Sequence, residues 1–340
     1  MLNLITDVAG LKIGNAHDET LLSGVTAVIF DEPAVASIAI HGGAPGVRDT
    51  ALLEPDMTVE RIDALVLSGG SAFGLDAPGG VQAALRAQGR GFAVGSVKIP
   101  IVPGAILFDL LNGGDKNWPR MPPYWELGHA AAQAAARDFA IGSAGAGFGA
   151  TTANLRGGLG SASCRTAGGF TVGALVAANA IGSATIGSGP HFWAAPYEQN
   201  EEFGGLGLPQ RIEPADLDLV IKGAAAPAPE NTTIAIVATD ALLTKGSARR
   251  LAVMAHDGMG RALRPSHAAM DGDLIFAAAT GRAPKVPDAR DHIEIGQAAA
   301  DCLARAIARA IFAAAPSPKI PGVKPSWRER FVNRDVSHTN

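Results

Sequence analysis

Thr232 stands where a proline-rich stretch runs into a strongly apolar one. Gly223 to Pro229 is small residues and prolines, which read as an exposed loop, and Ile234 to Ala238 reads as a buried strand. A threonine at such a junction, preceded by Asn231, could be released as a new N-terminus by cleavage of the Asn231–Thr232 bond. Its hydroxyl would then be the nucleophile and its α-amine, with an unperturbed pKa of about 7.7–8.0, the general base. Threonine opens ordinary strands too, so this junction alone leaves both readings standing. Asp271 and Asp273 flank Gly272, and carboxylates two apart on an extended chain share one side. Two such groups repel unless something cationic or donating lies between them, a part that the ammonium or hydroxyl of Thr232 could play. Asp-Gly is also a turn dipeptide, and a Mg²⁺ site would need a third ligand that the spacing does not offer. Asn179 closes the apolar run from Phe170. A buried amide needs partners, and at a strand end beside a pocket it is suited to hold an oxyanion.

Alternating and continuous apolar runs predict the elements that must position these groups. Strands are expected at Val25–Phe30, Ala36–Ile40, Ala64–Leu67, Phe170–Ile181, Ile234–Ala238 and Leu274–Ala278. Helices are expected at Asp76–Arg86, from Tyr124 to Arg137, from near Thr244, and over a last apolar face of Ile295, Ala299, Cys302, Leu303, Ala306 and Ala310. Between Ala64–Leu67 and its helix lies Gly69-Gly70-Ser71, whose small residues allow close approach to a backbone or a substrate. Its amides could also hold developing negative charge. It fits neither phosphate-loop template. Gly145 to Ala150 matches a relaxed dinucleotide pattern, but no periodic helix follows and the expected acid is missing. The glycine-proline loop His41 to Asp49 reads equally as part of the rim of the site and as a plain tight turn. Asp109 follows a long apolar run broken by Pro100 and Pro103, and a buried carboxylate there needs partners. His256 and His267 have no partner at metal-ligand spacing and read as structural or exposed. Cys302 reads as a packed thiol, and residues from Pro316 onward as a basic, proline-rich tail.

The 340 residues are 47% hydrophobic with 42 glycines and only 5% aromatics, which allows a large core of closely packed elements. A net charge of −4 gives no basic footprint for nucleic acid. Two cysteines write neither a disulfide framework nor a zinc cluster. No apolar run reaches membrane-spanning length and the start has no signal-peptide pattern, so a cytoplasmic protein without a membrane partner is expected.

Four segments together carry a more specific signal: Gly69-Gly-Ser-Ala-Phe-Gly-Leu-Asp76, Gly157-Gly-Leu-Gly-Ser-Ala-Ser163, Asn231-Thr-Thr-Ile-Ala-Ile-Val-Ala-Thr-Asp240 and Met270-Asp-Gly-Asp-Leu-Ile-Phe276. In this order the chain resembles the L-aminopeptidase/D-esterase family, which includes β-aminopeptidases and the nylon-oligomer hydrolase. The resemblance implies an α/β protein of four layers, an α/β/β/α sandwich, in which 1–340 is one domain self-cleaved into 1–231 and 232–340 and assembled as a homotetramer. It implies Thr232 as nucleophile, Asn179 as the active-site asparagine, Asp271 and Asp273 beside the nucleophile, and no cofactor or metal. The substrate would be a small peptide or amino-acid amide, in a pocket that includes Gly69, Gly70, Ser71, Phe108 and Asn154. The nylon-oligomer hydrolase has tyrosine where this chain has Phe108 and lysine where it has Asn154, which favours a broader aminopeptidase or amidase over nylon-oligomer hydrolysis. An acyltransferase of the ornithine acetyltransferase type and an uncleaved, non-catalytic scaffold of the same fold are the alternatives.

Overall fold

The computed structural model describes residues 1–223, 231–316 and 323–332. Most of the loop expected ahead of Thr232 (224–230) and most of the expected tail (317–322 and 333–340) lie outside the described residues. In chain order the elements are β1 (Leu11–Asp18), β2 (Ser23–Ile40), β3 (Val47–Arg48), β4 (Ile62–Ser68), α1 (Ala77–Ala87), β5 (Phe92–Val94), β6 (Val97–Ile99), β7 (Gly104–Ile106) and α2 (Tyr124–Gln133). They continue with β8 (Gly158–Arg165), β9 (Thr171–Asn179), β10 (Thr232–Thr239), α3 (Lys245–Ala262), β11 (Leu274–Ala279), α4 (Ala289–Phe312) and α5 (Trp327–Phe331).

The two short strands expected at 25–30 and 36–40 are one long strand. β2 pairs with β1 and β4 through its first half and with β11 through its second, with a register irregularity between Ile29 and Ala34. It thereby joins two sets of strands, giving the order β3-β7-β4-β2-β11-β10-β9-β8 with β1 beside β2. Because side chains alternate across a strand, β10 supplies two cores at once. Ala235 and Val237 pack with Leu251, Ala255 and Met259 of α3 and Leu303 and Ile307 of α4. Ile234 and Ile236 face the other way, onto Val28, Phe30, Leu65 and Leu67. Val25, Ala27 and Ala64 in turn pack with Val81 and Leu85 of α1 and Ala131 of α2. Three apolar interfaces separate four layers: two helices, a sheet, a sheet, two helices. A strand buried on both faces has no polar alternation, which is why β10 reads as a continuous apolar run.

α2 stops at Gln133 rather than 137, because Ala136 exchanges two backbone hydrogen bonds with Ile13 of β1. The apolar run ahead of Asp109 splits at its prolines into β6, in a hairpin with β5, and β7, between β3 and β4. After Gly145–Gly147 comes the strand β8 and no helix, so the dinucleotide pattern has no structural counterpart. The thiols of Cys164 and Cys302 are free and lie 3.5 Å apart. Among the described residues no helix is long and apolar enough to cross a membrane.

Candidate active site

Sheet register brings the expected residues together. β9 runs antiparallel to β10 and sets Asn179 opposite Thr232, while on the other side Asn231 forms a parallel bridge with Asp271. Asn231, Thr232, Asn179, Asp271 and Asp273 are all buried, and the Asn231 side of the junction is fully so. The Asn231 carbonyl oxygen accepts the Gly272 N–H at 2.9 Å and the Thr232 hydroxyl at 2.5 Å. Only glycine fits at 272, since a Cβ there would stand 2.7 Å from Thr232 Oγ1 and 2.8 Å from the Ala44 carbonyl.

The two carboxylates are used differently. Asp273 is fully engaged: Oδ1 accepts the Thr233 N–H at 2.8 Å, and Oδ2 meets both the N–H (2.9 Å) and the ring Nδ1 (3.0 Å) of His267. Asp271 Oδ1 finds no hydrogen-bond donor among the described residues. Burial, then repulsion from Asp273, pushes its carboxyl up to about 7. The backbone of this pair is held by the loop after β2: His41 and Gly42 donate to the Asp273 carbonyl and Ala44 to that of Asp271.

Asn179 Oδ1 accepts from the Thr151 N–H (3.0 Å) and from Lys222 Nζ (3.1 Å), and its Nδ2 donates to the Phe108 carbonyl at 2.9 Å. Phe108 thus enters through its backbone, an interaction indifferent to the missing tyrosine hydroxyl. Asn154 stands one shell further out, in a network with Thr152, Ser183 and Thr185, where its Nδ2 donates to Thr185 Oγ1 at 3.1 Å.

Gly69, Gly70 and Ser71 carry amides that are committed within the fold. Their N–H groups bond to the Gly24 carbonyl, to Asp109 Oδ1 and to the Leu107 carbonyl. The loop therefore holds the carboxylate of Asp109, in place of the free anion-binding amides that the sequence suggests. Ser23 Oγ donates to the other Asp109 oxygen at 2.6 Å, so this buried acid has the partners it needs. Gly70 is at φ +86° against the Tyr124 ring, where a side chain has neither conformation nor room.

The histidines have neighbours that their spacing along the chain does not show. His267 is a partner of Asp273, and His256 is buried, stacked on His41 with ring centroids 3.7 Å apart. Nitrogens of all three come within 4.8 Å of one another. Two parallel rings aim their in-plane lone pairs side by side instead of at one point, which suits stacking better than joint coordination. Burial lowers His256 to about 3, so it is neutral at pH 7. His41, His267 and Lys222 are the neighbours that spacing along the chain did not reveal. One signal for Lys222 was available: it is the sole basic residue between Arg211 and Lys245, just ahead of the junction.

Two stacked sheets between helix layers, with a threonine opening a central strand, define the class: an Ntn-hydrolase type of fold. A β-aminopeptidase from Burkholderia sp. shares it at TM-score 0.70 and 23% identity, covering 97% of this chain and 92% of that one. The L-aminopeptidase D-Ala-esterase/amidase of Ochrobactrum anthropi, described as a variant of the Ntn hydrolase fold, matches at TM-score 0.66 and 21% identity, covering 94% and 88%. The profile of peptidase family S58 matches residues 3–323, and the chain belongs to that family. It is therefore a peptidase/amidohydrolase. An uncharacterized aminopeptidase of Mycobacterium tuberculosis is 38% identical over 97% of this chain and 98% of its own length. The 6-aminohexanoate-oligomer endohydrolase of Paenarthrobacter ureafaciens is 27% identical over 81% and 74%.

Proposed function

We propose that the chain cuts itself between Asn231 and Thr232 and then acts as an N-terminal-threonine aminopeptidase/amidohydrolase on small peptides or amino-acid amides. The observation that carries this reading is the buried Asn231 carbonyl, held by the Gly272 N–H with the Thr232 hydroxyl against it. A bond so enclosed is poorly placed for an outside protease and well placed for its own neighbour. In the first stage Thr232 Oγ1 bonds to the Asn231 carbonyl carbon, the C–N bond breaks, and the hydroxyl proton passes to the departing nitrogen. Water then splits the ester, leaving a carboxylate on Asn231 and a free amine and hydroxyl on Thr232.

In the mature enzyme a substrate carbonyl takes the place vacated by that of Asn231. Its developing oxyanion meets the Gly272 N–H and the second N–H of Asn179 Nδ2. The Thr232 amine takes the hydroxyl proton and returns it to the leaving amine, and water releases the acyl group. Asp273 fixes the start of β10 through Thr233, while Asp271, titrating near neutrality, holds the amine and tunes its basicity. No step needs a metal or cofactor. The fragments 1–231 and 232–340 stay together as one domain, because β10 and β11 lie in the sheet between β9 and β2. Cytoplasmic homotetramers of such cleaved protomers complete the reading.

The aminopeptidase and amidase names of the relatives support this substrate class. With Phe108 and Asn154 in place of tyrosine and lysine, nylon oligomers are not the expected substrate. Denaturing electrophoresis with mass analysis tests the reading: two fragments, the smaller beginning Thr-Thr-Ile-Ala, are expected. A single intact chain after long incubation at neutral pH would favour a scaffold. Acyl transfer to an added amine in preference to water would favour the transferase. Amino-acid p-nitroanilides of the α and β series would then define the substrate.

A further inference from the structure

We infer that Lys222 is a positioning residue for the reaction, its ammonium turning the Asn179 amide N–H groups toward the scissile carbonyl and strengthening them as donors. The inference rests on the self-cleaving threonine reading and names a residue that it does not require.

The two ends of an asparagine amide have nearly the same shape, so only partners decide which end faces the chemistry. The Lys222 ammonium and the Thr151 N–H can only donate, and both meet Asn179 Oδ1. The Phe108 carbonyl can only accept, and it takes one N–H of Nδ2. Thr232 stands directly opposite Asn179 on β10, and side chains paired across two strands share one face of the sheet. Thr151 alone would supply one weak neutral bond; the cation adds a charge-assisted one and polarises the amide along its length.

Lys222 is itself held in place, since its backbone N–H donates to the Ile181 carbonyl, two residues beyond Asn179. The charged groups around it are Asp271 and Asp109, which favour its ammonium, and Lys324, which disfavours it. The cation comes from the segment that leads to Asn231 and Thr232.

The test compares Lys222→Met and Lys222→Arg with the unaltered chain on one p-nitroanilide substrate, together with the rate at which the fragments appear. Lys222→Met is expected to slow fragment formation and to lower kcat by roughly 10- to 100-fold, the scale of weakening one oxyanion donor, with KM changed far less. Lys222→Arg should restore most of both rates. Burial, aided by Lys324, lowers Lys222 to about 7, so kcat of the unaltered enzyme should fall as pH rises beyond neutrality. Arginine, which does not titrate there, should remove that alkaline limb. Wild-type kcat in Lys222→Met, or an unchanged pH profile in Lys222→Arg, would overturn the inference. If the native chain matures and Thr232→Ala is inert while Lys222→Met matches wild type, only this inference falls. If Thr232→Ala remains active, the reading beneath it falls too. Should the methionine variant fold poorly, the arginine profile still decides.

Discussion

Two buried acids on the same molecule differ in how completely the fold satisfies them. Asp109 and Asp271 are both buried and both raised by loss of water. Asp109 has both oxygens bonded, to the Gly70 N–H and the Ser23 hydroxyl, and serves to pin the loop before α1. Asp271 keeps an oxygen without a donor among the described residues, sits two residues from a second carboxylate, and adjoins the Asn231–Thr232 bond. Burial alone does not mark chemistry. A buried carboxyl left short of donors is the better candidate for it, because keeping it there costs the fold stability.

The largest effect should come from removing the hydroxyl at the centre of the second region. Thr232→Ala should leave one intact band and lower hydrolysis by roughly 10⁴-fold or more, as deletion of a nucleophile does; fragments forming at the normal rate would end the proposal. Asp271→Asn should slow both self-cleavage and turnover by about 10²-fold while leaving the protein soluble. Its stability should move with pH. Between the ordinary aspartate pKa of 3.8 and about 7 the folded chain keeps a proton that the unfolded chain has lost, so Asp271 makes stability fall as pH rises through that window. Melting curves of the variant should therefore gain on wild type toward pH 8; a loss there would mean that the carboxylate is paired after all.

Asn179→Ala should cost about 10²-fold in turnover. It should also cost about 1–3 kcal/mol of stability, because Lys222, Thr151 and Phe108 lose their partner. Unchanged turnover with a lowered Tm would make Asn179 merely structural. Asp109→Asn should show the reverse balance: about 1–3 kcal/mol lost in denaturation and turnover within a few-fold once folded. A large fall in kcat without a fall in Tm would erase the contrast between the two acids. Smallest of all should be EDTA, with no change expected, since Asp273 is satisfied by N–H donors and His267. Activity lost to chelation and restored by Mg²⁺ or Mn²⁺ would turn the pair into a metal site.

Much of the fold was legible because it is local. The apolar runs at Ile234–Ala238 and Leu274–Ala278 became β10 and β11, and the helical spacing of Leu251, Ala255 and Met259 became the face of α3 that packs on them. Fusion of the first two strands into β2 was hidden, because the exposed Asp31-Glu32-Pro33 reads as a turn and is held extended by the pairing of the residues before and after it. The committed amides of Gly69 to Ser71 were hidden as well, since nothing in a glycine loop announces which acid it will hold.

What the sequence by itself determined was the junction at Asn231-Thr232, the Asp-Gly-Asp spacing and the asparagine closing β9, each a matter of side-chain type and of a period of two along the chain. Tertiary structure alone decided their meeting. Antiparallel register sets Asn179 opposite Thr232 across 53 residues of chain, and the parallel bridge brings the Gly272 N–H to the Asn231 carbonyl. Packing of separate segments puts His267 on Asp273 and Lys222 on Asn179. A one-residue slip in either pairing would turn these side chains to the opposite face, and that choice is made by the summed burial of the whole sheet, which no short stretch encodes.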